Sequence, residues 1–502
     1  MKSFFTKVLL LALIPMAGLW AAGKKEATPS TQAAPAAAKA AKMDKIVLLM
    51  TNYNDSTQEV RDAWVKEFKR ISGVDIDLKT VSSKDAGEGM MAQFMAGQFP
   101  DVCKFGGESM DALARQEFVV PLDPFIEKSG MKQIKEMFPS AFAVHSVDGV
   151  SYGIPEIAGA KRVLWVRTDI LNKLGIAMPK TLDELVASLK KIRDEYPCPD
   201  GSKMYPYISK MEHTDYASGL SYYFDVSIDP VMRRPNDKLY REGWDSPQFP
   251  DYAKFMKMLW DEHLIDPEHA LPQKAAATRS KFYAGKGAYL MMHADIYGEL
   301  IGDLRKNFPK AEIAMVPPIV NPKGGILGAT MSPGYRPFCI MSKAANPQFV
   351  WDKVIETIYM TVDGAMLFYR GIPGLAYRVE NNLLVDNYDK SGVHLSSASP
   401  LNPNLVFPYK LAGLSQIAVE KEAEFNGWFA KNGNYMVGEG PTVSVPEYAQ
   451  ISADMGDKMH ELFWKYVLGQ IGYDDMLKQY AAYKKEVKFD DILKKINAAS
   501  SK

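Results

Sequence analysis

The clearest periodic signal along the chain begins near Met43. Ile46 to Met50 is a continuous apolar run bounded by polar residues, the pattern of a strand buried on both faces of a sheet. Val60, Trp64 and Phe68 then recur at every fourth position, with Val65 and Ile71 beside them. They draw one apolar stripe along a helix that Gly73 ends. Val74, Ile76 and Leu78 alternate with Asp75, Asp77 and Lys79, the period of a strand. Strand, helix, strand predicts a right-handed parallel crossover.

The same grammar returns downstream. Val163 to Val166 reads as a strand. Thr181-Leu-Asp-Glu184 ahead of Leu185, Leu189 and Ile192 matches a helix capping box. Asn346-Pro347 opens a helix with Val350, Val354 and Ile358 on one face and proline at the tolerated first position. From Ser452 the chain is helical: Met459, Leu462, Phe463, Tyr466 and Val467 form one stripe, Gly469 is a stop, and Met476, Leu477, Tyr480 and Tyr483 form the next. Alternating strands and helices predict α/β lobes with parallel or mixed sheets. No internal repeat of roughly 20 to 50 residues is present, which excludes a solenoid.

Composition narrows the class. With 502 residues, 47% hydrophobic and 24% charged, the chain has the make-up of a soluble globular protein of roughly two or three domains or lobes. Sixty basic residues balance sixty acidic ones, so no global field draws it to nucleic acid or an anionic membrane. At the N-terminus, Lys2 and Lys7 flank an apolar stretch from Val8 to Trp20, interrupted by Pro15 and followed by Ala21, Ala22 and Gly23. This stretch is shorter than the roughly 20 residues that cross a bilayer and reads as a signal peptide over 1–22, cleaved near Ala21 or Ala22. The first cysteine is Cys103, so no lipid-anchoring cysteine follows the small residues, and release into a periplasm is expected. Residues 23–42, rich in Ala, Pro, Thr and Lys, read as a flexible leader.

Cys103, Cys198 and Cys339 form no zinc or redox motif. Two readings stand: three buried small hydrophobes, or one bridged pair with a thiol left over in an oxidising compartment. Catalytic signatures are missing as well: there is no H-E-x-x-H, G-x-S-x-G, Walker loop or C-x-x-C, and Gly285-Lys-Gly287 is too short to cradle phosphate. No cofactor and no metal are expected.

Several segments resemble the extracellular solute-binding proteins of ABC importers, the branch that includes maltose-binding and LplA-like proteins. Ala96-Gly-Gln-Phe-Pro-Asp-Val102 is similar to the family's segment entering a strand. Tyr152-Gly-Ile-Pro155, Leu164-Trp-Val-Arg-Thr-Asp-Ile-Leu171 and Leu174 to Glu184 resemble the passage from the first lobe to the second. Phe282-Tyr-Ala-Gly-Lys-Gly-Ala-Tyr289, Met341 to Pro347, Leu462 to Gly469 and Tyr473 to Tyr480 follow in family order. The resemblance implies an α/β, two-lobed periplasmic-binding-protein type II fold with a hinge and an interlobe cleft. It implies a first lobe from 43–155 and 320–375 and a second from 156–319 and 376–502. Crossovers are implied near Gly153 to Ala160, near Val316 to Pro322, and between Arg370 and Asn382.

Loops at the carboxyl ends of strands in both lobes then supply the candidate site. From the first lobe come Asn52, Tyr53, Asn54, Phe105 and Glu108; Asn54 equally suits a helix cap. Lys161 and Arg162 come from the crossover, where Trp165 reads more simply as core. From the second lobe come Tyr222, His293, Asp295 and Tyr297, and from the return Tyr335 and Arg336. Aromatic faces and planar polar groups suit a sugar. The expected function is hinge closure on a saccharide and delivery to the permease subunits of an ABC importer, by a monomer, with no nucleic acid involved. Two other readings remain: an exported glycoside hydrolase, and a sensor or adhesin on the same fold.

Overall fold

A computed structural model of the chain describes residues 43–52, 56–82, 86–105, 110–156, 161–209, 219–227, 229–233, 237–270, 275–331, 336–387, 401–402, 404–405, 410–411, 414–432 and 445–500. The expected signal peptide and leader lie outside them. The strands that carry the site are, in chain order, β1 (Lys45–Asn52), β2 (Asp75–Ser82), β3 (Val102–Lys104), β4 (Lys161–Arg167), β5 (Tyr207–Ser209), β6 (Tyr289–His293), β7 (Ile313–Met315), β8 (Ala329–Met331) and β9 (Phe338–Ile340). They make two separate sheets. The first has the order β9-β3-β1-β2, with β1 parallel to β2 and β3, and β9 antiparallel to β3. In the second the order is β7-β4-β6-β5, with β8 pairing the other end of β4; β5 and β6 are parallel, and β4 runs against its neighbours.

Local sequence explains the element ends. Helix α1 (Gln58–Ser72) is capped by Thr57, whose hydroxyl accepts from the Val60 N–H, and it stops at Gly73 in the left-handed conformation, φ 72°. At α2 (Leu182–Glu195) half of the expected capping box forms: Glu184 N–H donates to Thr181 Oγ1 at 3.1 Å, while the Glu184 carboxylate accepts from Lys180 N–H at 2.7 Å, one residue ahead of the N-cap. Asn346 Oδ1 accepts from Phe349 N–H at 3.1 Å, so the helix begins at Pro347 as expected. The C-terminal stripes become α3 (Pro446–Val467) and α4 (Tyr473–Glu486), with Gly469 at φ 73° between them.

Each sheet is covered on both faces, which is why its central strands β1, β4 and β6 carry unbroken apolar runs, whereas the edge strand β2 alternates. In the first sheet Leu48, Val102 and Ile340 pack to one side with Trp64 and Trp351, while Leu49, Cys103 and Cys339 pack to the other with Met90 and Phe94. In the second, Leu164, Val166, Tyr289 and Met291 face the core that α2 and α3 close. Val163, Trp165, Leu290 and Met292 face the opposite one, under the helix Tyr297–Asn307.

The chain leaves the first sheet after Glu156 and enters the second at Lys161. It does not return near Val316 to Pro322: Ile319–Val320 and Ile326–Leu327 form a hairpin, and β8 then joins β4. The return falls between Met331 and Phe338, because Val316, Ile319 and Leu327 still pack in the second core and Met331 pairs β4, while Phe338 pairs β3. Nor does the chain leave the first core between Arg370 and Asn382, since Leu401 still packs there, while Phe425 packs on the second sheet. At the foot of the outgoing and returning connections the chain pairs with itself on the first sheet: Ile154 N–H donates to Phe338 O at 2.9 Å and Phe338 N–H to Ile154 O at 2.8 Å. Among the described residues no helix is long and apolar enough to cross a membrane.

Candidate functional site

Open α/β sheets hold ligands beyond the carboxyl ends of their strands. For the first sheet these ends are Asn52 on β1 and Lys104 on β3, with Arg336 beside them just ahead of the antiparallel β9. For the second they are Ser209 on β5, His293 on β6 and Met331 on β8, with Lys161 and Arg162 at the start of the antiparallel β4.

A buried charge cluster stands where the connections leave the first sheet. Lys104 Nζ lies 2.7 Å from Glu156 Oε1, and both side chains are 0% exposed. Arg336 Nη1 approaches the other carboxylate oxygen, Oε2, at 3.9 Å, with its side chain 24% exposed. Arg336 itself takes φ 55°, an uncommon backbone conformation for a bulky residue. Burial pushes the Lys104 ammonium below its ordinary pKa, and Glu156 opposes that shift. The ammonium also sits over the Phe368 ring, 4.8 Å from its centroid. Tyr359 Oη donates to Pro155 O at 3.0 Å and Tyr369 Oη to Glu156 O at 3.1 Å. Burial holds both phenols well above their ordinary range, so they serve as neutral donors. Residues 154–156 are thereby tied by side chains as well as by the backbone bridge.

At the second edge, Arg162 and His293 are directly opposed across β4 and β6, and both are half-buried. No described carboxylate forms an ion pair with Arg162. Trp165 Nε1–H donates to His293 O at 3.0 Å, fixing the strand end where His293 sits. Tyr297 lays its ring 5.8 Å from that of Trp165. Behind β5, Ser209 Oγ lies 3.2 Å from His269 Nδ1, both side chains being fully buried.

Burial first, and then the positive charges of His460 and Lys281, hold the His269 imidazole down at about 3. The unfolded chain takes up this proton near the ordinary value of about 6.5. The stability that depends on a neutral His269 is therefore whole above that pH and is lost as pH falls toward the folded value. Between about pH 6.5 and 5 the loss amounts to roughly 2 kcal/mol. Urea unfolding at stepped pH checks this: His269→Gln should flatten the slope over that window, and parallel slopes would refute the assignment.

The remaining candidates divide. Tyr53, Asn54, Glu108 and Tyr335 lie outside the described residues. Asn52, Lys161 and Asp295 stand at the strand ends by their backbone positions. Phe105 does not line an open loop: it continues the burial of β3 and sits edge-on to Phe94, 6.0 Å between ring centroids. Tyr297 is likewise buried, behind the second edge. Tyr222 is buried in the short helix Leu220–Tyr223; its carbonyl and that of Tyr223 lie so near Gly325 that a Cβ there would meet them at 2.4 and 2.3 Å. Trp165 is core, as its place in an apolar run suggests. Lys104, Glu156, Ser209 and His269 had not been singled out from sequence. A lysine inside a buried strand was the available signal, because it demands a carboxylate partner. Among the described residues no three His, Cys, Asp or Glu side chains gather as a metal site.

Comparison with known proteins bears on this arrangement. Over residues 54–354 the chain matches the family model described as bacterial extracellular solute-binding protein. A fructooligosaccharide ABC transporter substrate-binding protein of Streptococcus pneumoniae, FusA, is 25% identical over 223 residues, 41% of each chain. The match thus spans about two fifths of that relative's length. The solved structure of S. pneumoniae FusA with kestose superposes with a TM-score of 0.68 at 18% identity, covering 91% of this chain and 99% of that one. The alginate-binding protein AlgQ2 does so at 0.65 and 19%, covering 92% and 99%. At such identities the superpositions speak for the fold, two α/β lobes joined by crossovers. The family match runs over more than half of the sequence, from the end of β1 through the return to the first sheet, and with it the chain belongs to the bacterial extracellular solute-binding proteins.

Proposed function

We propose that this protein is the exported solute-binding component of a bacterial ABC importer. It takes a sugar or oligosaccharide between its lobes, closes about the paired connections, and passes the ligand unchanged to a membrane permease. The observation that carries the reading is the pairing of Ile154 with Phe338, which holds the feet of the two connections side by side at the strand ends of the first sheet. A bridge of that kind suits a hinge. FusA and AlgQ2, by their names, take fructooligosaccharide and alginate, which favours a saccharide here.

In this reading Arg162, His293 and Arg336 are the polar contacts, with Asn52, Tyr53, Asn54, Glu108, Lys161, Asp295 and Tyr335 completing the lining. Phe105, Tyr222 and Tyr297 back the walls. The protein acts as a monomer without cofactor or catalysis, released into the periplasm after cleavage near Ala21 or Ala22. A thermal-shift screen against saccharides and peptides, followed by calorimetry, tests this. Ligand at a hundred times its Kd stabilises the fold by about 2.7 kcal/mol, a rise of a few degrees in Tm. Arg162→Ala should weaken binding at least tenfold, about 1.4 kcal/mol, and leave the unliganded Tm unchanged. A response to peptides alone would overturn the saccharide reading, and conversion of the bound sugar would overturn the carrier reading.

A further inference from the structure

We propose that Cys103 and Cys339 are joined by a disulfide in the exported protein. The two residues are Cα partners across β3 and β9, flanked by the pairs Lys104 with Phe338 and Val102 with Ile340. Two positions to either side, Phe105 N–H donates to Pro337 O and Met341 N–H to Asp101 O, each at 3.0 Å. Antiparallel ladders alternate, so the cysteines occupy a hydrogen-bonded pair, for which the Cα separation is about 5.5 Å. Disulfides most often span about 5.5 to 6 Å between Cα atoms.

Directly opposed residues share a face, and both cysteines pack in one cluster with Leu49, Met90 and Met341. Each is a buried thiol in this structure. Cys103 Sγ is turned toward Met90 Sδ, 3.7 Å away; bonding requires a rotation about its Cα–Cβ bond and a local closing of the two strands, since opposed Cβ atoms lie about 4.5–5.5 Å apart and a disulfide holds them at about 3.5–4.5 Å. Cys198 belongs to the other core and has its Sγ on Lys203 O at 3.6 Å. The three cysteines thus resolve into one pair and one remaining thiol.

The reaction is thiol–disulfide exchange with an exported dithiol oxidase. Both Sγ–H bonds break and one Sγ–Sγ bond forms. Two electrons and two protons pass to the oxidase disulfide, which opens to two thiols. Since both sulfurs are 0% exposed in the fold, exchange belongs to folding, before the helices Ala86–Met95 and Met110–Arg115 cover this face. The bond staples the strand that follows the return connection to the strand that ends at Lys104, fixing the root of the hinge.

The inference rests on export, which is part of the proposed function. Thiols are therefore counted by alkylation and intact mass in two denatured samples: full-length chain expressed with its own leader and recovered from the secreted fraction, and reduced chain refolded in oxidised and reduced glutathione. One alkylated thiol is expected without reductant and three with it. Cys198→Ser should leave none without reductant, and Cys103→Ala should leave two. The oxidised form should melt several degrees above the reduced form. Three alkylated thiols in both unreduced samples overturn the pair. Chain recovered only from the cytoplasm, with the pair still forming on refolding, overturns export and leaves the pair standing.

Discussion

Lys104→Met should lower the free energy of unfolding by about 3–5 kcal/mol, the largest single-site loss expected in the first lobe. The substitution keeps the length and apolar stem of the side chain, so packing against Phe338 and Phe368 is largely preserved. What it removes is the ammonium 2.7 Å from Glu156, leaving a carboxylate with no exposed surface beside the partly exposed Arg336. Such a charge is costly far beyond the net worth of the intact pair. Lys104→Met/Glu156→Gln removes both charges and should recover most of the loss, because an amide needs no counter-ion. Chemical denaturation of the wild type, Lys104→Met, Glu156→Gln and the double variant decides it. Additive losses would mean that the two groups do not act as a pair.

Trp165→Ala should cost a comparable 3–5 kcal/mol and should also weaken ligand binding. The indole is fully buried between Val163, Leu290, Met292 and Tyr297, and truncation opens a cavity in a close-packed layer. It also removes the donor to the His293 carbonyl, releasing the strand end that the second edge of the site depends on. Trp165→Phe separates the two effects. Most of the apolar volume returns, and the remaining loss is about 1–2 kcal/mol for the carbonyl left without its donor. Denaturation together with calorimetry on the best saccharide from the screen measures both. An affinity equal to wild type in Trp165→Ala would disconnect this wall from the site.

Much of the fold was legible from sequence because local signals and tertiary packing agree. Gly73, Thr181, Asn346 and Gly469 sit where caps and stops are needed, and Val163 to Val166 lies within β4, although the cap of α1 is Thr57 and not Asn54. The misplaced return has a physical origin. The resemblance implies a crossover near Val316 to Pro322, whereas the chain there enters a two-residue ladder whose partner, Ile326–Leu327, carries no signal of its own. Short strands explain the site as well. Val102–Lys104 has too few residues to reveal a period, so Phe105 read as the start of an open loop when it is the end of a buried run. The ion pair of Lys104 with Glu156 joins residues 52 positions apart, and the opposition of Arg162 and His293 crosses two strands that are distant in sequence. No periodicity reports contacts of that kind.

The first sheet is finished by β9, a strand far downstream of the three it completes. A growing polypeptide therefore cannot close this half until every strand of the second sheet has been synthesised. Until then the flank of β3 that β9 covers has no strand partner. Delayed completion of this sort suits a chain that must be threaded through a secretion channel before it folds, and it costs folding speed, as long-range pairing generally does.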